Sequence, residues 1–328
     1  MNRPPNPFAE PARVVAVALN PALDQTIEIA GLQPGVVNRA LRMQVDAGGK
    51  AVNVASCLSD FGVNAAVTGQ LGRDNAALFE ELFQRKKIAN HCCYLDGLTR
   101  TNAKLVDTLS GETTDLNMPG PEFDPVTAAD LLQQVLERLE RLMERVEWVV
   151  LSGSLPPGLP VDVYATITAW VQAAGASVLL DASGAPLKAA LAAGPRIVKP
   201  NRHELAELFD RPLDNREALV AAGRELLHNS PAPEWVVVSL GGDGALFLTR
   251  ERALQAQAPR MTVASTVGAG DAMVAGLIAA RLENLPLAET AQLATAFAAA
   301  KLTRRGPHLP RPAEVRVLAG QIVVSTID

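Results

Sequence analysis

Apolar residues in this chain fall in short β-branched runs separated by longer stretches with helical spacing. VVAVAL (Val14–Leu19), AAVTG (Ala65–Gly69), WVVLSG (Trp148–Gly153), SVLLD (Ser177–Asp181), RIVKPN (Arg196–Asn201) and WVVVSLGG (Trp235–Gly242) read as strands. After the first, NVASCLSDFG sets Val54, Cys57, Leu58 and Phe61 on one helical face, with Gly62 as its stop. A longer helix is predicted from TAAD (Thr127–Asp130), which resembles a capping box with Asp in place of Glu. It carries Leu131, Leu132, Val135, Leu136, Leu139, Leu142 and Met143 at helical spacing. Alternation of this kind predicts right-handed βαβ units and a mostly parallel sheet flanked by helices, an α/β fold. Continuous apolar strands are what a sheet covered on both faces requires.

Two regions break the alternation. Gln25 to Arg39 and Cys92 to Asn117 read as short strands with no helices between them, the second around a Ser110-Gly111 turn. They predict a small β-sheet projecting from the core, with segments at about 25–40 and 92–117. The four prolines of MNRPPNPFAEPAR predict a disordered tail over residues 1–12, leaving one domain over 13–328.

Composition adds exclusions. The 328 residues are 48% hydrophobic and 20% charged, an ordinary balance for a chain with a full core. A net charge of −5 argues against a basic face for nucleic acid or for an anionic membrane. The apolar runs are far too short to span a bilayer, and the N-terminus lacks the apolar core of a signal peptide. Cys57, Cys92 and Cys93 cannot all pair within the chain, so reduced thiols and a cytoplasmic setting are expected. The four histidines have no ligand spacing, so no structural zinc site is expected.

Polar and glycine-rich residues follow directly on the apolar runs. In open α/β sheets ligands sit beyond the carboxyl ends of the strands, so these segments should converge on one crevice. TVGAGDAMVAG (Thr266–Gly276) puts Asp271 behind Gly268, Ala269 and Gly270. If a helix begins there, its backbone N–H groups form an anion site at the positive end of the dipole. A carboxylate beside an anion site is repulsive unless it acts on an incoming nucleophile, and phosphoryl transfer needs that pairing. The plainer reading is a glycine turn with Asp271 as a helix cap. SLGGDGA (Ser239–Ala245) is a second glycine turn after a strand, suited to a nucleotide but equally to any tight turn. Gly49-Lys50 is followed by Ala51 and lacks a leading glycine, so there is no P-loop, and no G-x-G-x-x-G follows the first strand.

KPNRHEL (Lys199–Leu205) sets Asn201 and Glu204 one helical turn apart, within reach of one magnesium–water shell or simply as an N-capped helix. AGGKAVN (Ala47–Asn53) offers Gly48, Gly49, Lys50 and Asn53 for sugar hydroxyls and phosphate; its plainer reading is a βα loop with an exposed lysine. Asp24 of NPALD stands past a strand end, able to accept from two hydroxyls or to be a solvated turn residue. Arg39, Arg100 and Lys104 lie in the projecting sheet, as ligands for a phosphate on the acceptor or as charges guarding strand edges. Each plain reading is tolerable singly. Together they require unrelated coincidences at every strand end.

Taken in order, NPALD, AGGKAVNVA, TRTNAKL, LSGSLPPG, KPNRHEL, VSLGGDGA and TVGAGD resemble the ribokinase-like carbohydrate kinases of the PfkB family, from about Val14 to the C-terminus. The resemblance implies a ribokinase-like core with a β-sheet lid, a homodimer formed through that lid, and ATP with Mg²⁺. It implies Asp271 as the catalytic base and Gly268, Ala269 and Gly270 as the anion hole. Ser239, Gly241, Gly242, Gly244 and Gly270 would serve ATP, with Lys199 and Asn201 at its phosphates and Glu204 at the metal. Asp24, Gly48, Gly49, Lys50, Asn53 and Ser152 would hold the sugar, and Arg39, Arg100, Asn102 and Lys104 would take the acceptor-phosphate and lid positions. Ala51 stands where the family's sugar loop usually has another glycine, and Ala272 where serine is frequent. The implied reaction phosphorylates the C6 hydroxyl of fructose 1-phosphate to give fructose 1,6-bisphosphate. Tagatose 6-phosphate or fructose 6-phosphate is the alternative acceptor, and a non-catalytic sugar-phosphate sensor the alternative of another class.

Overall fold

The computed structural model describes residues 11–259, 261, 267–304 and 306–327. The tail expected over residues 1–12 therefore falls, for 1–10, outside the described residues, as does Thr266. In chain order the strands are β1 (Val14–Ala18), β2 (Ala22–Ile29), β3 (Ala40–Gly48), β4 (Ala65–Gly72), β5 (Ala89–Leu95), β6 (Thr101–Asp107), β7 (Thr113–Leu116), β8 (Trp148–Ser152), β9 (Ser177–Asp181), β10 (Ile197–Val198), β11 (Trp235–Ser239), β12 (Ala245–Leu248), β13 (Ala253–Ala256) and β14 (Val324–Thr326). The helices are α1 (Lys50–Asp60), α2 (Ala77–Lys86), α3 (Pro125–Glu140), α4 (Val163–Ala173), α5 (Gly184–Leu191), α6 (Arg202–Leu208), α7 (Arg216–His228), α8 (Ala269–Leu282), α9 (Leu287–Leu302) and α10 (Pro312–Ala319). Among the described residues no helix is long and apolar enough to cross a membrane.

A 10-stranded sheet runs in the order β14-β13-β12-β11-β10-β9-β8-β1-β4-β5. From β5 to β11 every neighbouring pair is parallel. Strand β1 shows why its sequence is apolar throughout. Val14, Ala16 and Ala18 enter one core with α1, α8 and α9, and Val15, Val17 and Leu19 enter the other with α3 and α4. Both faces are covered, so neither can be polar. The antiparallel edge β12–β13–β14 was not anticipated, because its strands are only three or four residues long.

The small sheet is real but differently bounded. Its order is β3-β2-β6-β7, so it uses residues 22–29, 40–48, 101–107 and 113–116 rather than 25–40 and 92–117. Cys92 and Cys93 belong instead to β5, which pairs in parallel with β4, and their side chains are buried in opposite cores. Long helix α3 also starts earlier than TAAD suggests. Asp124 is its N-cap, accepting from the Val126 and Thr127 amides at 2.8 and 3.1 Å, with Pro125 in the first turn. A proline there loses no intrahelical bond, and Asp caps better than Thr.

Candidate active site

The carboxyl ends of β1, β8, β9, β10 and β11, the root of the small sheet and the N-termini of α1 and α8 meet in one cleft. Helix α8 begins at Ala269, with Gly268 as its N-cap at φ 78°, a left-handed conformation that disfavours a side chain. Asp271 is in its first turn. The amides of Ala269, Gly270 and Asp271 have no acceptor within the helix and carry its positive end. The motif's last glycine has another purpose. A Cβ on Gly276 would stand 2.7 Å from Ala294 Cα, so this position lets α8 and α9 pack closely.

Asp271 is 7% exposed, and its Oδ2 accepts from Asn53 Nδ2 at 2.8 Å. Burial pushes its pKa up, and nearby Lys50 and Lys199 pull the other way. A carboxylate with a raised pKa, fixed by one neutral donor beside an open helix terminus, has the basicity and placement of a proton acceptor. Asn53 is carried by α1, whose N-cap Gly49 sits at φ 90°; a Cβ there would lie 2.9 Å from Pro21 Cα. Ala51, one residue inside that helix, is buried and has an ordinary helical backbone. The left-handed requirement thus falls on Gly49, and the alanine is accommodated.

On one side of Asp271 lies a polar wall from the small sheet. Asp24 Oδ1 accepts from Asn102 Nδ2 at 3.2 Å, and Lys104 Nζ is 3.8 Å from Asp24 Oδ2. Gly48 lies between Asp24 and Asn53: its missing Cβ would be 2.7 Å from the first and 3.5 Å from the second. On the other side Lys199, 4% exposed, comes within 3.8 Å of where a Gly270 Cβ would be. Ser239 bridges in parallel to Asn201, and the turn Gly241–Asp243 closes with Leu240 N–H donating to the Gly244 carbonyl. An open cleft of about 460 Å³ lies beside this turn, lined by Arg202, Gly242, Asp243 and Gln257 among others.

Four expected residues are placed less simply. Asn201 and Glu204 form a complete capping box on α6, with Glu204 Oε2 accepting from the Asn201 amide at 2.7 Å. Glu204 keeps only its other oxygen for a metal shell. Arg100 spends its guanidinium on the carbonyls of Pro21, Asn20 and Met118, so here it braces the root of the small sheet. Arg39 is not brought to the others. It is exposed just before Ala40, which pairs with Ile29 at the opposite end of β3 from Gly48, about 27 Å along the strand.

Two further residues were missed. Asp181, 1% exposed at the end of β9, lies 3.0 Å from Lys199 Nζ and 3.5 Å from Lys50 Nζ, and accepts from Ser152 Oγ at 3.0 Å. Burial alone would raise its pKa, but the two lysines and these donors hold it below the usual carboxylate range. Its position after an apolar run was the available signal. Lys301, 2% exposed in α9, donates to the Arg304 carbonyl at 3.0 Å, and its Cε would be 3.3 Å from a Gly268 Cβ. A lone lysine inside AFAAAKL was the only hint.

A cleft that joins an open helix N-terminus, a buried carboxylate, two lysines and a polar wall has the parts that phosphoryl transfer to an alcohol requires. The pattern of the pfkB family of carbohydrate kinases matches residues 17–314, and the chain belongs to that family. It is therefore a sugar kinase, with ATP as the phosphoryl donor. It is 47% identical over 320 residues to the 1-phosphofructokinase of Xanthomonas campestris, covering 96% of this chain and 99% of that one. It is 45% identical to the 1-phosphofructokinase of Rhodobacter capsulatus over 315 residues, 96% and 98% of the two chains. Among solved structures, phosphofructokinase-2 from Escherichia coli in complex with potassium superposes with TM-score 0.86 at 29% identity, covering 94% of this chain and 99% of that one.

Proposed function

We propose that this chain transfers the γ-phosphoryl group of ATP to the C6 hydroxyl of fructose 1-phosphate, giving fructose 1,6-bisphosphate and ADP. The observation that carries the reading is the position of Asp271, buried between the Asp24–Asn102 wall on one side and the Lys199–Gly270 approach on the other. Asp271 takes the proton of the C6 hydroxyl as that oxygen bonds to the γ-phosphorus. The bond from phosphorus to the β–γ bridging oxygen breaks, and the electron pair leaves with ADP. Charge on the moving group is met by the first-turn amides of α8 and by Lys50 and Lys199. Asp24, Asn102 and Lys104 hold the acceptor.

The donor set also fits Mg²⁺. Among the described residues no cluster of three acidic, histidine or cysteine side chains forms an all-protein cage. Mg²⁺ characteristically binds through phosphates, water and one or two carboxylates. The free oxygen of Glu204 fits a water-mediated place, and the ion would offset phosphate charge there. Two copies of the chain would associate through the small sheet, whose Leu41, Met43 and Leu116 are 65%, 59% and 46% exposed. A related E. coli phosphofructokinase-2 is described as a tetrameric inhibited form.

The second acceptor reading also has support, since an E. coli phosphofructokinase-2 of the same fold is described in complex with fructose-6-phosphate. The test is ADP release from ATP and Mg²⁺ with fructose 1-phosphate, fructose 6-phosphate, tagatose 6-phosphate and free fructose. Preference for the first is expected. Preference for a 6-phosphate keeps the mechanism and changes the acceptor. ATP binding without turnover on any of them moves the reading to a sensor.

A further inference from the structure

We infer that Asp181 is a positioning residue: one buried carboxylate that aims the ammonium groups of Lys50 and Lys199 into the phosphoryl-transfer cleft. The inference rests on the kinase reading of the same site.

Four elements converge on this carboxylate. Asp181 ends β9, Ser152 ends β8, Lys199 follows β10 and Lys50 opens α1. Oδ1 lies 3.0 Å from Lys199 Nζ, while Oδ2 lies 3.5 Å from Lys50 Nζ and accepts from Ser152 Oγ at 3.0 Å. The Asp181 carbonyl also accepts from the Gly153 amide at 3.0 Å, fixing its backbone. Each lysine thus approaches its own oxygen, and the carboxylate spaces the two cations. An ammonium has three donors, and each lysine meets Asp181 as one ion-pair partner among them. The side chain of Lys50 is still 39% exposed, and Lys199 reaches toward Gly270 at the α8 terminus. The remaining donors are available where an anion would enter.

A purely structural ion pair would be arranged differently. Buried pairs are weak sources of stability unless the other hydrogen-bonding positions are filled within the protein. Here one partner is left half open to the cleft. The arrangement suits an intermittent second anion, with Asp181 as the fixed counter-charge between the two lysines. In line with that, Asp181 is the largest cause raising the Lys50 pKa, against the lowering effect of burial.

The test is kcat/KM for ATP against pH, with ATP binding measured separately, in wild type and Asp181→Asn. A loss of about 10²-fold is expected, the scale of a misplaced catalytic group. An alkaline limb absent from wild type should also appear, because Lys50 without its counter-charge loses its proton at lower pH. A folded Asp181→Asn protein with the wild-type profile overturns the inference and leaves the kinase reading standing. Wild type that binds ATP without turnover fails the kinase reading instead, and ATP affinity against pH then decides the inference. If Asp181→Asn does not fold, Lys199→Met is compared with Lys199→Met/Asp181→Asn, which removes one charge of each sign. A new alkaline limb only in the double variant supports the inference; identical profiles overturn it.

Discussion

Two lysine–carboxylate clusters of the molecule, each at least partly buried, are of opposite design. In the first, Lys86 on α2 is 2.6 Å from Asp60 Oδ2 and donates to the carbonyls of Ser56 and Pro307. Asp60 in turn accepts from the Leu309 amide, and the Ser56 hydroxyl from α1 also reaches the Pro307 carbonyl. All three ammonium donors are used, and the effect is to fasten the chain around 307–309 to α1 and α2. Burial lowers the Lys86 pKa, with Asp60 opposing. In the second cluster, Asp181 raises the Lys50 pKa, and the lysine keeps one side open to the cleft. A closed cluster fastens the chain around it, while the open one, on the reading proposed above, leaves a place for a charge that arrives with substrate. Hydrogen-bond completeness separates the two, because both contain lysine, aspartate and serine.

The sharpest way to test that contrast is at the open site. Asp271→Asn should lower kcat by about 10²–10⁴-fold, the range for a lost general base, while leaving thermal unfolding near wild type. Wild-type turnover in that variant would remove Asp271 from its role. In wild type, the acid limb of kcat/KM should lie above the ordinary carboxylate range. Burial raises the Asp271 pKa, and only its ionised form accepts a proton, so activity falls as pH drops through that raised value.

Lys86→Met should do the reverse. It leaves the half-buried Asp60 with one amide partner, so unfolding stability should fall by up to about 3 kcal/mol, the low end for breaking a buried pair. Turnover per folded molecule should hold. Calorimetry and active-site titration together read this, and lost turnover without lost stability would erase the distinction.

Asp24→Ala should lower kcat/KM for the sugar phosphate by about 10–100-fold, the equivalent of one or two hydrogen bonds to a charged group, with KM for ATP little changed. A larger effect on ATP would move Asp24 out of the acceptor wall. Smallest of all, Arg39→Ala should change turnover of the isolated chain by less than about twofold, because charges separated by more than a Debye length are screened. A large loss that depends on protein concentration would mean that Arg39 acts on a second copy.

The sequence was most legible where several constraints coincide. Strands covered on both faces must be apolar at every position, so β1, β8 and β9 were found within about a residue of their ends, whereas the expected Trp235–Gly242 strand ran past the end of β11 at Ser239 into the glycine turn. The glycine turns were legible because few residues tolerate the backbone they require, as at Gly49 and Gly268. The small sheet was legible in kind but not in extent. Its strands are half exposed and lack a continuous apolar signature, so Cys92 and Cys93 were drawn into it although β5 belongs to the main sheet.

What the chain determines by itself is its alternation of elements, the caps that start and stop them, and the chemistry placed at each strand end. Periodicity and backbone sterics act over a few residues, so they can be read locally. Only the tertiary structure decides which of those strand-end groups meet. It brings Asn53 to Asp271 across 218 residues of sequence and gathers Lys50 and Lys199 around Asp181. It turns Arg100 onto backbone carbonyls and leaves Arg39 at the far end of its sheet. A charged side chain takes its role from the partners and the burial that distant segments supply, and those depend on how the sheets and helices pack.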